Sequence, residues 1–67
     1  MAVTNNLKSI RESQGICQEE LASATGFHVR TISRIECGDT APSAEFMLRM
    51  AAYFNLFVED LFRLDEN

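Results

Sequence analysis

The sequence predicts an all-α domain of five short helices. Two observations carry this. Apolar residues recur at helical spacing along the chain, and the only three glycines, Gly15, Gly26 and Gly38, fall where the first three of those patterns end. A third bounds it: 67 residues without a repeat, a low-complexity run or a linker make one domain, spanning residues 1–67. A chain of about 60 residues buries only about 60% of the surface it exposes when unfolded, so stability is marginal and a folded-state partner would raise it.

The first helix is expected from about Asn6 to Ser13, with Leu7, Ile10 and Arg11 on one face at i, i+3, i+4 spacing. The second runs from Gln18 to Thr25. Glu19 and Glu20 occupy its first turn, where carboxylates suit the positive end of the helix dipole, Leu21 and Ala22 face inward, and Gly26 closes it. The third runs from Val29 to Cys37 and stops at Gly38. At 100° per residue, Ile32, Ile35 and Glu36 gather on one side of it, with Arg30, Ser33, Arg34 and Cys37 on the other. Asp39-Thr40-Ala41-Pro42 reads as a turn and Ser43 as the N-cap of a fourth helix, Ala44 to Phe54, with Met47, Met50, Ala51 and Phe54 as its core stripe. A short fifth helix, about Val58 to Phe62, is anchored by Val58 and Leu61. Each is shorter than the ~12–15 residues an isolated helix needs, so packing must hold all five.

Two readings of the termini stand side by side. Ala2-Val3-Thr4 and Arg63-Leu64-Asp65 pair as a short two-stranded ribbon, or both ends fray.

The start Met-Ala-Val-Thr-Asn-Asn-Leu-Lys has neither the basic nor the apolar region of a secretory leader, and no apolar run approaches the roughly 20 residues of a membrane span. A cytoplasmic protein with no membrane association is the expectation. Cys17 and Cys37 are too few for a disulfide scaffold and form no CxxC pair, and adding His28 still leaves zinc without a fourth ligand. So short a chain can scarcely enclose an enzyme cleft of ordinary size, and no nucleophile–base arrangement stands out, so no enzyme, metal or cofactor is expected.

The stretch from Gln18 to Gly38 is the informative one. Two short amphipathic patterns flank a tight turn, and the second carries its arginines away from the core. This is the layout of a helix-turn-helix that presents a recognition helix to the DNA major groove. Arginine donates two hydrogen bonds to guanine, and valine touches a thymine methyl. As a plain surface pair, Arg30 and Arg34 would only repel mildly at i, i+4 spacing. The net charge of −4 opposes phosphate binding, but it is unevenly placed. Lys8, Arg11, Arg30 and Arg34 balance Glu12, Glu19, Glu20 and Glu36 in residues 1–38, and the whole excess lies in residues 39–67.

In its residue order the chain resembles the lambda-repressor/Cro-like (Xre) family of bacterial and phage transcription regulators, over about nine-tenths of its length. The resemblance implies a five-helix DNA-binding domain that acts as a homodimer on a palindromic operator in double-stranded DNA, as the family's repressors do. It places Val29, Arg30 and Arg34 on base edges, with Thr31 and Ser33 flanking them and His28 at the N-cap of the recognition helix. It places Gln18 on a backbone phosphate, and Gly38 and Thr40 in a turn that offers backbone N–H groups to phosphate. It makes Arg11 and Glu36 an internal salt bridge, and it puts Phe57, Val58, Phe62 and Leu64 at the dimer interface. Phe27, Phe46, Phe57 and Phe62 are more apolar than their positions require, and those that the core does not take would form an exposed patch. Three positions depart from the family pattern: Cys17 at the N-cap of the second helix, Cys37 at a site often basic or Asn, and Asp39 where Lys is common. The competing reading is a protein-binding module, such as the antitoxin of a toxin–antitoxin pair.

Overall fold

Leu7, Leu21, Ile32, Phe46, Met50 and Leu61 are shut off from solvent, and every helix contributes at least one of them. A computed structural model describes residues 2–65. In chain order it contains β1 (Ala2–Asn5), α1 (Leu7–Ser13), α2 (Gln18–Thr25), α3 (Val29–Glu36), α4 (Ala44–Phe54), α5 (Val58–Leu61) and β2 (Phe62–Asp65). The five helices enclose the core, and the ribbon closes it. β1 and β2 pair antiparallel, with Val3 opposite Leu64 and Thr4 opposite Arg63. Residues 2–5 and 62–65 are therefore tied together rather than frayed. Two bonds beside the ribbon explain why: Asn6 N–H donates to the Leu61 carbonyl at 2.8 Å, and the Asn5 amide donates to the Ile35 carbonyl at 3.0 Å.

Helix ends follow local chemistry. Ser43 Oγ accepts from Phe46 N–H at 3.1 Å, and His28 Nδ1 accepts from Arg30 N–H at 3.2 Å. Phe57, at the N-cap of α5, has no side-chain acceptor; Asp60 compensates by accepting from the Phe57 N–H at 3.0 Å. Cys17 precedes α2 and makes no capping bond.

Two assignments from sequence need correction. On α4 the buried residues are Phe46, Met50, Ala51 and Phe54, and Met47 is only half-buried. Phe46 wins the inward position because its ring is the middle of an aromatic chain. It lies 4.8 Å from the Phe27 ring and 6.2 Å from the Phe62 ring, which it meets edge-on. For the same reason Phe62 is a core residue, 5% exposed, and not part of a free surface. Of the four phenylalanines in surplus, only Phe57 remains outside, 77% exposed.

The turn between α2 and α3 depends on Gly26, which sits at φ 81°. A Cβ there would lie 3.1 Å from Arg49 Nη1, and that nitrogen already caps α2 by donating to the Thr25 carbonyl at 2.9 Å. Gly26→Ala is expected to cost about 1–2 kcal/mol from the left-handed backbone alone. Urea denaturation with an unchanged midpoint would show that the turn tolerates a side chain.

Candidate nucleic-acid interface

α3 separates its two faces sharply. Ile32 and Ile35 are 0% and 3% exposed, which anchors the helix by one side. Arg30, Thr31 and Arg34 are exposed on the other, and Val29 and Ser33 are half-buried at its margins; exposed Cys37, expected as the last residue of the helix, is the cap beyond Glu36. Burying two isoleucines contributes roughly 1.5–3 kcal/mol each and fixes the rotation of the helix, so the arginines are aimed outward by the core rather than by contacts of their own.

α2 packs directly on α3 and sets its entry angle. Gly26 reverses the chain. Phe27 then pins the turn to α4 through Phe46, with the Arg49 guanidinium 5.5 Å above its ring. Exposed His28 follows as N-cap. Its Nδ1 accepts a hydrogen bond, so in the neutral ring the proton is on Nε2.

A buried polar network braces this unit from below. Arg11 Nε donates to Glu36 Oε2 at 2.8 Å and its Nη2 to Glu36 Oε1 at 3.1 Å, so the pair is bidentate. Both side chains are nearly inaccessible, at 9% and 2%. Arg11 Nη1 donates to the Ile16 carbonyl at 2.9 Å, and Gln18 Nε2 donates to Glu36 Oε1 at 2.9 Å. The network thus joins α1, the entry to α2, and the end of α3. Hydrogen bonding to Glu36 holds the Arg11 guanidinium above its ordinary value, against the lowering that burial imposes. Sequence reading had no signal for the bond from Gln18, nor for the Asn5 amide on the Ile35 carbonyl.

Half-buried Gln18 starts α2, and exposed Thr40 lies beyond α3. Gly38 differs from expectation. Its N–H donates to the Ile35 carbonyl at 3.0 Å, and the Asp39 N–H donates to the Arg34 carbonyl at 2.9 Å. These bonds satisfy the carbonyls that the end of α3 leaves over, so the Gly38 N–H is already committed. Exposed Asp39 and Cys37 flank it, and Cys17 and Cys37 are both free thiols.

The residues assigned to a dimer surface divide. Phe57 and Leu56 line a shallow hollow with Asn55 and Asp60. Val58 and Leu64 line a second groove with Val3, Met47, Phe62 and Arg63. Among the described residues no group of three or more His, Cys, Asp or Glu is placed to hold a metal ion, and no helix is long and apolar enough to cross a membrane.

The helix-turn-helix family model matches residues 7–61. The uncharacterized HTH-type transcriptional regulator YgzD of Bacillus subtilis is 36% identical over 62 residues, covering 92% of this chain and 94% of that protein. A protein of Bacteroides fragilis has the same fold, with a TM-score of 0.80 at 23% identity over 91% of this chain and 98% of its own. So does the restriction-modification controller protein C.AhdI of Aeromonas hydrophila, with a TM-score of 0.77 at 24% identity over 82% of this chain and 83% of its own. By its fold, its α2–turn–α3 geometry and these likenesses, the chain belongs to the helix-turn-helix family of DNA-binding transcription regulators, in the lambda-repressor/Cro-like (Xre) group.

Proposed function

We propose that this protein is a cytoplasmic, homodimeric regulator of transcription that reads a two-fold-symmetric operator in double-stranded DNA with α3. The exposed arginine face of α3, held outward by buried Ile32 and Ile35, carries this reading. Arg30 and Arg34 lie one helical turn apart, a spacing that lets each reach the edge of a different base pair in one major groove, and Val29 beside them suits a thymine methyl. Thr31, Ser33 and His28 border that face. Gln18 at the start of α2 and Thr40 beyond α3 serve as contacts to the sugar–phosphate backbone, which fix register without reading sequence. The acidic second half of the chain is a solvated back that limits non-specific binding.

Selection of bound fragments from random duplex DNA tests the reading, with the purified protein and no partner. A recurring motif with two inverted halves, about 34 Å apart or a multiple of that spacing, is expected. Recovery of no common sequence would overturn it.

The dimer is supported by apolar side chains that the monomer leaves in water. Phe57 and Leu64 are 77% and 58% exposed, Leu56 is 37% exposed, and Val58 lies half-buried between them in sequence. Phe57→Asp places a charge there without touching the core. Sedimentation is expected to show the wild type as a dimer at micromolar concentration and the variant as a folded monomer. Two species that sediment alike would place the interface elsewhere.

A further inference from the structure

The Arg11–Glu36 pair lies behind the reading helix and looks like a purely structural brace. One bond in the network extends it to the surface. Glu36 Oε1 accepts from Arg11 Nη2 at 3.1 Å and also from Gln18 Nε2 at 2.9 Å. The carboxylate is nearly inaccessible, whereas Gln18 is half-buried at the first position of α2. A glutamine amide has two N–H donors, so this bond uses one and leaves the other. It also fixes which way the carboxamide faces, since its oxygen cannot exchange places with a nitrogen that must donate to Glu36.

From this we infer that Glu36 is a positioning residue for binding the DNA backbone. Its charge is cancelled by Arg11, and its Oε1 holds the Gln18 carboxamide with the second N–H free for a phosphate oxygen. The inference rests on the reading of Gln18 as a phosphate contact and assigns the group that orders it. A glutamine on a helix end otherwise samples many rotamers, and that freedom is lost on binding; here it is already removed in the free protein. The neutralised pair matters too, because a bare carboxylate this close to phosphates would repel them.

The test is a cycle of variants. Arg11→Met with Glu36→Met deletes the pair without leaving a lone buried charge and without changing net charge, so long-range attraction to DNA is preserved. Affinity for a mixed-sequence duplex is measured with and without Gln18→Ala in each background. In the wild type, Gln18→Ala is expected to weaken binding about tenfold, the scale of one hydrogen bond to a charged group. In the paired-Met background the same change is expected to matter less than about twofold, because a disordered amide has little left to lose. Equal losses in the two backgrounds would leave the Gln18 contact standing and overturn the role of Glu36. No loss in the wild type would remove the contact itself, and the inference with it. Should the paired-Met variant fail to fold by circular dichroism, NMR relaxation of the Gln18 side-chain amide in the free wild type decides. A rigid amide with one proton protected from exchange is expected, and a freely rotating one overturns the proposal.

Discussion

Arg11→Met alone is expected to destabilise the domain by about 3–5 kcal/mol. The Glu36 side chain is 2% exposed, and Arg11 supplies two of the three hydrogen bonds its carboxylate accepts. Removing the guanidinium leaves a buried anion with only an amide for company, and it also releases the Ile16 carbonyl that Arg11 Nη1 satisfies. A core of this size rarely supplies more than about 3–5 kcal/mol in total, so the single variant should be largely unfolded at room temperature. Adding Glu36→Met should recover most of the loss, since two flexible apolar side chains can fill the space that the ion pair occupied. Urea denaturation followed by circular dichroism measures both. A single variant that melts with the wild type would mean that Glu36 reaches water. A double variant no better than the single would mean that the Ile16 carbonyl, and not the carboxylate, sets the cost.

That the same pair could be read from sequence, while its bond to Gln18 could not, shows where local pattern stops. Helix bounds were legible because each is marked within a few residues. Gly26 and Ser43 terminate and initiate by their own backbone and side-chain chemistry, and α2 and α4 have the bounds their patterns predict. Arg11 and Glu36 were legible because the family resemblance pairs them. The bond from Gln18 to Glu36 spans 18 residues and that from Asn5 to Ile35 spans 30, and nothing near either residue announces its partner. The ribbon was ambiguous because four-residue strands carry too little alternation to distinguish from frayed ends. Phe62 was misplaced for a related reason. Helix α5 ends at Leu61, and the next residue turns into β2, which directs the Phe62 ring to Phe46 instead of outward. The place of Gly38 in the turn was legible, whereas its bond to the Ile35 carbonyl was not. On the outer face of α3 the direction of Arg30 and Arg34 was legible, since one-turn periodicity sorts them from Ile32 and Ile35 with no tertiary information, whereas the half-burial of Val29 and Ser33 was not.

That face carries the largest expected effect on function. Arg30→Ala and Arg34→Ala should each weaken operator binding by about 1–3 kcal/mol per half-site and relax the preference at one base pair. In a dimer each change is made twice, so the double variant should lose most of its discrimination between the operator and other DNA. Folding should not change, because both side chains are exposed and the helix is held by Ile32 and Ile35. Ile32→Ala, in contrast, should unfold the protein at a cost of about 2–5 kcal/mol. Removing a positive charge also weakens non-specific attraction, so loss of affinity alone does not identify a base contact. The discriminating measurement is a titration of each variant against operators altered one base pair at a time, at fixed salt. An arginine that reads a guanine makes the wild type sensitive to that position and its alanine variant indifferent to it, whereas an arginine that only meets phosphate lowers binding to every sequence by the same factor. Gln18→Ala is the internal control and should behave in the second way. A folded Arg30→Ala, Arg34→Ala double variant that kept wild-type preference at every position would remove α3 as the reading helix, because no other exposed face of the helix-turn-helix combines two arginines one turn apart with a buried anchoring side.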